Sequence, residues 1–382
     1  MQGVSGLPVT TFQQRIATIQ QAVTERGLDA LFVFSDEYRP GHTLYLSDYY
    51  PINVIEESPQ GVYVPAQGEV TLFLGAINAQ TAREVSWIQD IRSIEDLPAF
   101  LQERVDRKGR RLRIGLAGET LLPVRYYRLL RSALDENAFV SADDLLHQMR
   151  ERKSREEIAL MQEAAHLGDQ AIKAALARLR QGEVTEVELA AVAEYTIRSQ
   201  GGHLGSATVL SAGHHTRLPT WRPSLKKIMP GEAVLIDVNP SWHGYCSDVS
   251  VTVFHGEMTR EQAELLALSR QIHRGVITRL RPGLPASFIY DYFLDRVRAA
   301  GYERFFTPYA QGMRAVGHGV GLDVVERPNL DAGSTFLLAP GMTLAIKFDL
   351  HGFDFGGIRQ EVVVAIEEDG CRALNNILEE EF

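Results

Sequence analysis

The sequence predicts an α/β N-terminal domain over residues 1–150 and, over residues 151–382, an α+β domain built on a curved, largely antiparallel sheet. Three observations carry this expectation. Helix-like and strand-like runs alternate through the first 150 residues. Beyond them, several strand-like segments alternate apolar and polar residues, the pattern of an antiparallel sheet with one buried face. Ser/Thr-x-x-Glu/Gln signatures mark the starts of the helices between those strands.

Taken in order, residues 11–27 (TFQQRIATIQQAVTERG) place apolar side chains at helical spacing and end on a glycine, and LDALFVFS follows as a strand. GVYVPAQGEVTLFLG and RLRIGLAGE read as strands joined by Gly-containing turns, with YYRLLRSAL a helix. A boundary falls at MRERKSREEIALMQEAA, where Ser154 caps a helix and Glu157 returns the bond. Thr185 with Glu188, and Thr259 with Gln262, open two further helices. TVLSAG, AVLIDVN, CSDVSVTVF, TLAIKFDL and EVVVAIEED supply the strands of the second domain.

Composition narrows the function classes. A chain of 382 residues with 45% hydrophobic content buries a core large enough for two domains. Its 39 basic against 49 acidic residues, a formal charge of -10, argue against nucleic acid or an anionic membrane as partner. The opening MQGVSGLPVTTFQQR has neither a basic nor an apolar targeting region, and no run of apolar residues is long enough to span a bilayer, so a cytoplasmic location is expected. Cys246 and Cys371 are too few for a disulfide framework and read as ordinary thiols. No GxSxG elbow, P-loop or dinucleotide fingerprint occurs.

The chemistry rests on separated acidic residues. Asp237 in VLIDVN and Asp248 in GYCSD flank a turn at Gly244, so two adjacent antiparallel strands bring their carboxylates together. Such carboxylates repel unless a cation neutralises them. His318 in GHGVG adds a nitrogen ligand suited to manganese, cobalt, iron or zinc, and Glu361 in GIRQE a further carboxylate. TVLSAGHHTRLPTWRPS, with His214, His215 and Trp221, reads either as a pocket mouth or as an irregular loop whose aromatic covers the core. Arg359 joins these as a candidate for the substrate pocket. His351, in DLHGFDFGG, either reaches the same cavity or, as a lone loop histidine more often does, lies exposed.

Residues 150–382 resemble the pita-bread metallopeptidase family of methionine aminopeptidase, aminopeptidase P, prolidase and metal-free creatinase. The likeness is carried by RERKSREEIALM, MPGEAVLIDVNPSWHGYCSDVS, the RPG turn at Arg281, GHGVGLDVVERP, LLAPGMTLAI and GGIRQEVVVAIEEDG. The first 150 residues resemble the creatinase-type N-terminal domain through GLDALFVFS and the RIG strand. The resemblance implies a homodimer and a site of two Asp, one His and two Glu that binds two metals and activates water against a peptide carbonyl. Asp237, Asp248, His318 and Glu361 match four of these five positions. The fifth, a Glu that also serves the family as general base, falls on Lys347, which projects either into the site or to solvent.

Two family histidines also have counterparts of another kind. One falls on Val325; the other falls on Thr220 unless a gap aligns it with His214 or His215. Three carboxylates facing one ammonium suit at most one divalent ion, or none. Three functional readings follow. The first is an Xaa-Pro dipeptidase-like or aminopeptidase P-like hydrolase with a degraded dinuclear site, acting weakly on a small peptide or small-molecule amide. The second is a pseudo-peptidase that binds such a ligand without turnover. The third is a creatinase-like, metal-independent C–N hydrolase, against which Thr220 counts.

Overall fold

The expected alternation of helix and strand is present in the first of two units into which the chain divides, Met1–Arg150 and Glu151–Phe382. The computed structural model describes residues 4–52, 58–105, 112–306 and 315–380. Helix α1 (Val9–Glu25) buries Phe12, Ile16, Ile19 and Val23, one stripe at helical spacing. There follow β1 (Ala30–Ser35), α2 (Gly41–Ser47), β2 (Gln60–Pro65), β3 (Thr71–Leu74), α3 (Ala76–Val85) and β4 (Asp90–Ser93). The unit closes with α4 (Leu97–Arg104), β5 (Ile114–Ala117), α5 (Val124–Ala133), β6 (Phe139–Ser141) and α6 (Asp143–Glu151).

The strands form one mixed sheet in the order β4-β3-β2-β1-β5-β6. β1 pairs antiparallel with β2 and parallel with β5. Phe32, Phe73, Phe100, Ile114, Leu116 and Leu130 belong to its hydrophobic core.

The second unit opens with α7 (Arg155–Leu179) and α8 (Glu186–Ser199). Both start as the sequence predicts. Ser154 Oγ accepts from the Glu157 N–H while Glu157 Oε2 accepts from the Ser154 N–H, and Thr185 with Glu188 repeats the arrangement. Strands β7 (His203–Leu204), β8 (Val209–Ala212), β9 (Ala233–Val238), β10 (Pro240–Trp242), β11 (Tyr245–Cys246) and β12 (Val249–Phe254) come next. Helix α9 (Arg260–Ile277), capped by Thr259 and Gln262, and α10 (Ser287–Ala299) precede β13 (Ala315–Gly319), β14 (Glu326–Asp331), β15 (Thr343–Phe353), β16 (Gly356–Ile366) and β17 (Cys371–Ala373).

The main sheet runs β14-β13-β15-β16-β12-β9-β8, with β17 beside β16, and every pairing in it is antiparallel. Its two faces differ in chemistry because alternate residues of a strand point to opposite sides. Leu344, Ile346, Phe348 and Leu350 of β15 enter the core with Ile358, Val362, Val364 and Ile366 of β16 and Val249, Val251 and Val253 of β12. The intervening residues of β15 are Ala345, Lys347, Asp349 and His351, so apolar packing on one face sets a polar row on the other.

Helix α7 carries a long buried stripe from Met161 to Leu179 and begins at the capping box of Ser154 and Glu157. Ser154→Ala should lower the unfolding free energy by about 1 kcal/mol through loss of that cap, measured by denaturant titration.

Candidate functional site

Five strands deliver polar side chains to one face of the main sheet. Asp237 lies on β9 opposite Ser250 of β12, and Ser250 in turn faces Glu361 of β16. Lys347 pairs directly with Glu361, and Asp349 with Arg359. His318 pairs with Ala345, two residues before Lys347 on the same side of β15. The turn between Asp237 and Asp248 is at His243 and Gly244, both with positive φ, and the intervening residues form the short β10–β11 hairpin. Gly317, beside His318, has φ 141° and a would-be Cβ 2.0 Å from the Ala345 carbonyl, so a side chain there would push β13 off β15.

Asp248, His318 and Glu361 converge: one ligand atom from each lies within 4.8 Å of the others. His318 Nδ1 is 3.0 Å from the Gly319 carbonyl, which can only accept, so Nδ1 carries the proton and Nε2 a lone pair. Nε2 stands 3.5 Å from Asp248 Oδ2. Burial holds the His318 pKa down at about 4, so the imidazole is neutral near pH 7 and Nε2 turns its lone pair toward the Asp248 carboxyl. Glu361 Oε1 is buried and has no hydrogen-bond partner among the described residues. Converging lone pairs and an unpaired carboxylate oxygen are relieved by a cation, and the imidazole–carboxylate donor set fits a divalent transition metal.

Asp237 stands apart from that trio. Its Oδ2 accepts from Arg359 Nη1 at 2.9 Å, and Arg359 Nε donates to Asp349 Oδ1 at 2.7 Å. Arg359 Nη2 donates to the Pro219 carbonyl at 2.9 Å. Arg359 is only 3% exposed, and its guanidinium ties Asp237 and Asp349 together beside the converging trio. Against the cost of burial, that guanidinium holds Asp349 far below the ordinary carboxylate range, and Asp349 and Asp237 raise Arg359 above its own.

Burial and the repulsion of Glu361 push Asp237 up to about 6. Burial with Glu361 and Asp237 raises Asp248, and burial raises Glu361 despite Lys347 and Arg359. Lys347 is half-buried, and Glu361, outweighing burial, raises its pKa. The ammonium therefore belongs to the cluster, and the solvent-facing alternative for Lys347 is set aside.

The other sequence candidates gather elsewhere. His215 Nδ1 and Trp221 Nε1 bond Glu186 Oε1 and Oε2 at 2.8 and 3.1 Å, and the two rings stack at 3.9 Å. Ser224 and the Ala212 N–H complete the shell of Glu186, which is fully buried. The loop is thus built around a carboxylate, to which His215 and Trp221 are both bonded. His214 and Thr220 are exposed, and Val325 is 62% exposed. His351 is buried on a continuing strand, not exposed in a loop. Asn239 and Glu186 carry no signal in the sequence; for Asp349, its place two residues after Lys347 on an alternating strand gives the shared face but not the bond to Arg359.

With this geometry in hand, comparison with known proteins decides the family. A profile of metallopeptidase family M24 matches residues 159–368. The chain belongs to that family. Residues 15–152 match the Creatinase/Prolidase N-terminal domain, so an α/β creatinase-type domain is followed by the α+β pita-bread domain. An Xaa-Pro dipeptidase of Lactobacillus delbrueckii subsp. lactis is 26% identical over 368 residues, 95% of this chain and 96% of that one. One from Pyrococcus furiosus is 25% identical over 366 residues, covering 95% and 97%. The prolidase structure from Pyrococcus horikoshii OT3 superposes with a TM-score of 0.83 at 23% identity, covering 95% of this chain and 98% of that one. Among the described residues, no helix is long and apolar enough to cross a membrane.

Glu186 yields a test of the loop's architecture. Burial acts to raise its carboxyl, but hydrogen bonds from Ser224, His215, Trp221 and Ala212 win and hold it below its ordinary 4.5. A depressed carboxyl stabilises the fold above 4.5 and loses that contribution as pH falls from there through the folded value. Glu186→Ala should cost more than about 2 kcal/mol at pH 7 by orphaning buried donors. Glu186→Gln should flatten the acid limb of the stability–pH curve, both read by denaturant titration.

Proposed function

We propose that the chain is an Xaa-Pro dipeptidase-like hydrolase of family M24 with a one-ion site and slow turnover of small peptides or related amides. The observation that carries this reading is Lys347, paired across the sheet with Glu361 beside the converging Asp248, His318 and Glu361. Those three residues would hold the ion. A divalent metal supplies an activated water near neutral pH and a Lewis acid for an amide carbonyl.

The remaining steps fall to the chain's own groups. Lys347, kept protonated by its carboxylate neighbours, cannot take a proton from an attacking water, so the family's general base has no replacement at this position. It supplies positive charge and hydrogen-bond donors instead. Arg359 does the same for Asp237, and together the two cations compensate the charge that a second ion would otherwise balance. Val325 offers no polar atom, and the hydroxyl of exposed Thr220 is a poor proton donor near neutral pH, so protonation of the leaving nitrogen is also weakly supported. These losses equally favour the second reading, a pseudo-peptidase that binds its ligand without turnover. A homodimer is proposed as the assembly.

Elemental analysis after incubation with manganese or cobalt should give fewer than two ions per chain. Xaa-Pro dipeptides should turn over about 10²–10⁴-fold below the usual range, as loss of a general base does. Two tightly held ions and turnover of about 1–1,000 per second would overturn the proposal, while one ion with no turnover would favour the binding reading. Lys347→Glu should raise metal stoichiometry and make the melting temperature more dependent on manganese, through binding to the native state, without restoring turnover. A variant indistinguishable from wild type in both would remove Lys347 from the site.

A further inference from the structure

We propose that Asn239, held by Ser206, is a positioning residue that fixes which oxygen of Asp248 is offered to the metal. The inference rests on the one-ion reading above and extends it to a pair of residues outside the ligand set. Asn239 Nδ2 donates to Asp248 Oδ1 at 2.6 Å, and both side chains are buried. A carboxylate only accepts, so the amide nitrogen must face it, and Asn239 Oδ1 then turns to Ser206, whose Oγ donates at 2.6 Å. The orientation of the amide is therefore fixed from both ends.

The backbone supports this relay. Asn239 lies between the end of β9 and the start of β10, and its carbonyl accepts from the Gly205 N–H at 2.7 Å. A Cβ on Gly205 would lie 2.9 Å from both Cys246 Sγ and a Val324 methyl, so glycine lets the segment carrying Ser206 approach this closely. With Oδ1 occupied, Asp248 presents Oδ2 toward His318 Nε2, 3.5 Å away.

The chemistry of the partner matters. Asp237 meets a guanidinium and Glu361 faces an ammonium across the sheet, whereas the direct partner of Asp248 is a neutral amide. An amide orients a carboxylate without supplying a full compensating charge, so the charge of an ionised Asp248 is left for an ion to balance. With Oδ1 accepting from Asn239, Oδ2 would be the oxygen of Asp248 left to meet an ion.

Calorimetric titration of the metal-free full chain with manganese, beside melting curves of the same samples, tests the relay. Asn239→Ala should weaken binding by about 10–100-fold, the usual effect of losing a group that orients a ligand. Ser206→Ala should weaken it less, and Ser206→Thr, which keeps the hydroxyl, should bind as wild type does. If Asn239→Ala lowers only the metal-free melting temperature and leaves affinity unchanged, Asn239 is merely structural. Should that variant fail to fold, equal affinities for Ser206→Ala and Ser206→Thr refute the relay. Hydrolysis assayed in parallel separates the two claims: weakened binding in the variants with no Xaa-Pro turnover in any sample upholds the positioning role and overturns the hydrolase reading. A wild type that takes up no manganese overturns both.

Discussion

The register of β15 on β16 is the constraint on which the rest of the site depends. It sets Lys347 against Glu361 and Asp349 against Arg359 while Ile346, Phe348 and Leu350 stay in the core. A slip of one residue would turn Lys347 and Asp349 into the apolar layer, at a cost of several kcal/mol for each unpaired charge. Hydrophobic packing on one face thereby enforces charge pairing on the other. Thr252 reinforces the placement: its hydroxyl accepts from the Arg359 N–H at 2.8 Å and donates to the Arg359 carbonyl at 3.1 Å.

Within this lattice the charges are not interchangeable. Asp349 and Arg359 satisfy each other, which leaves Asp237 bonded to the far side of the same guanidinium. Asp248, His318 and Glu361 keep unsaturated donor atoms facing one point. The difference arises from which residue type stands opposite each carboxylate, since all of them are deeply buried.

What the sequence reveals and what it hides follow from the range of the interactions. The capping boxes at Ser154, Thr185 and Thr259 span three residues and were legible outright. So was the alternation of β15, which predicts that Asp349 shares a face with Lys347. Its partner was not legible, because pairing with Arg359 depends on hairpin register across Gly352 and Gly356, and those glycines look like loop in isolation. The same glycines hid the continuation of the strand through His351. Glu186 and Asn239 escaped for a different reason: Glu186 is tied to His215, Trp221 and Ser224 from 29 to 38 positions away, and Asn239 to Ser206 across 33, so no local pattern announces either.

Arg359 carries a further consequence, in terms of supply. A metal ion must be acquired from the surroundings, and its occupancy rises and falls with the free concentration. A guanidinium arrives with the polypeptide, stays charged at every physiological pH and cannot be chelated away. By tying Asp237 and Asp349 to Arg359, the chain carries part of its counter-charge from synthesis onward. Asp237 and Asp349 thereby have a cationic partner with no ion bound, as carboxylates balanced by ions alone would not.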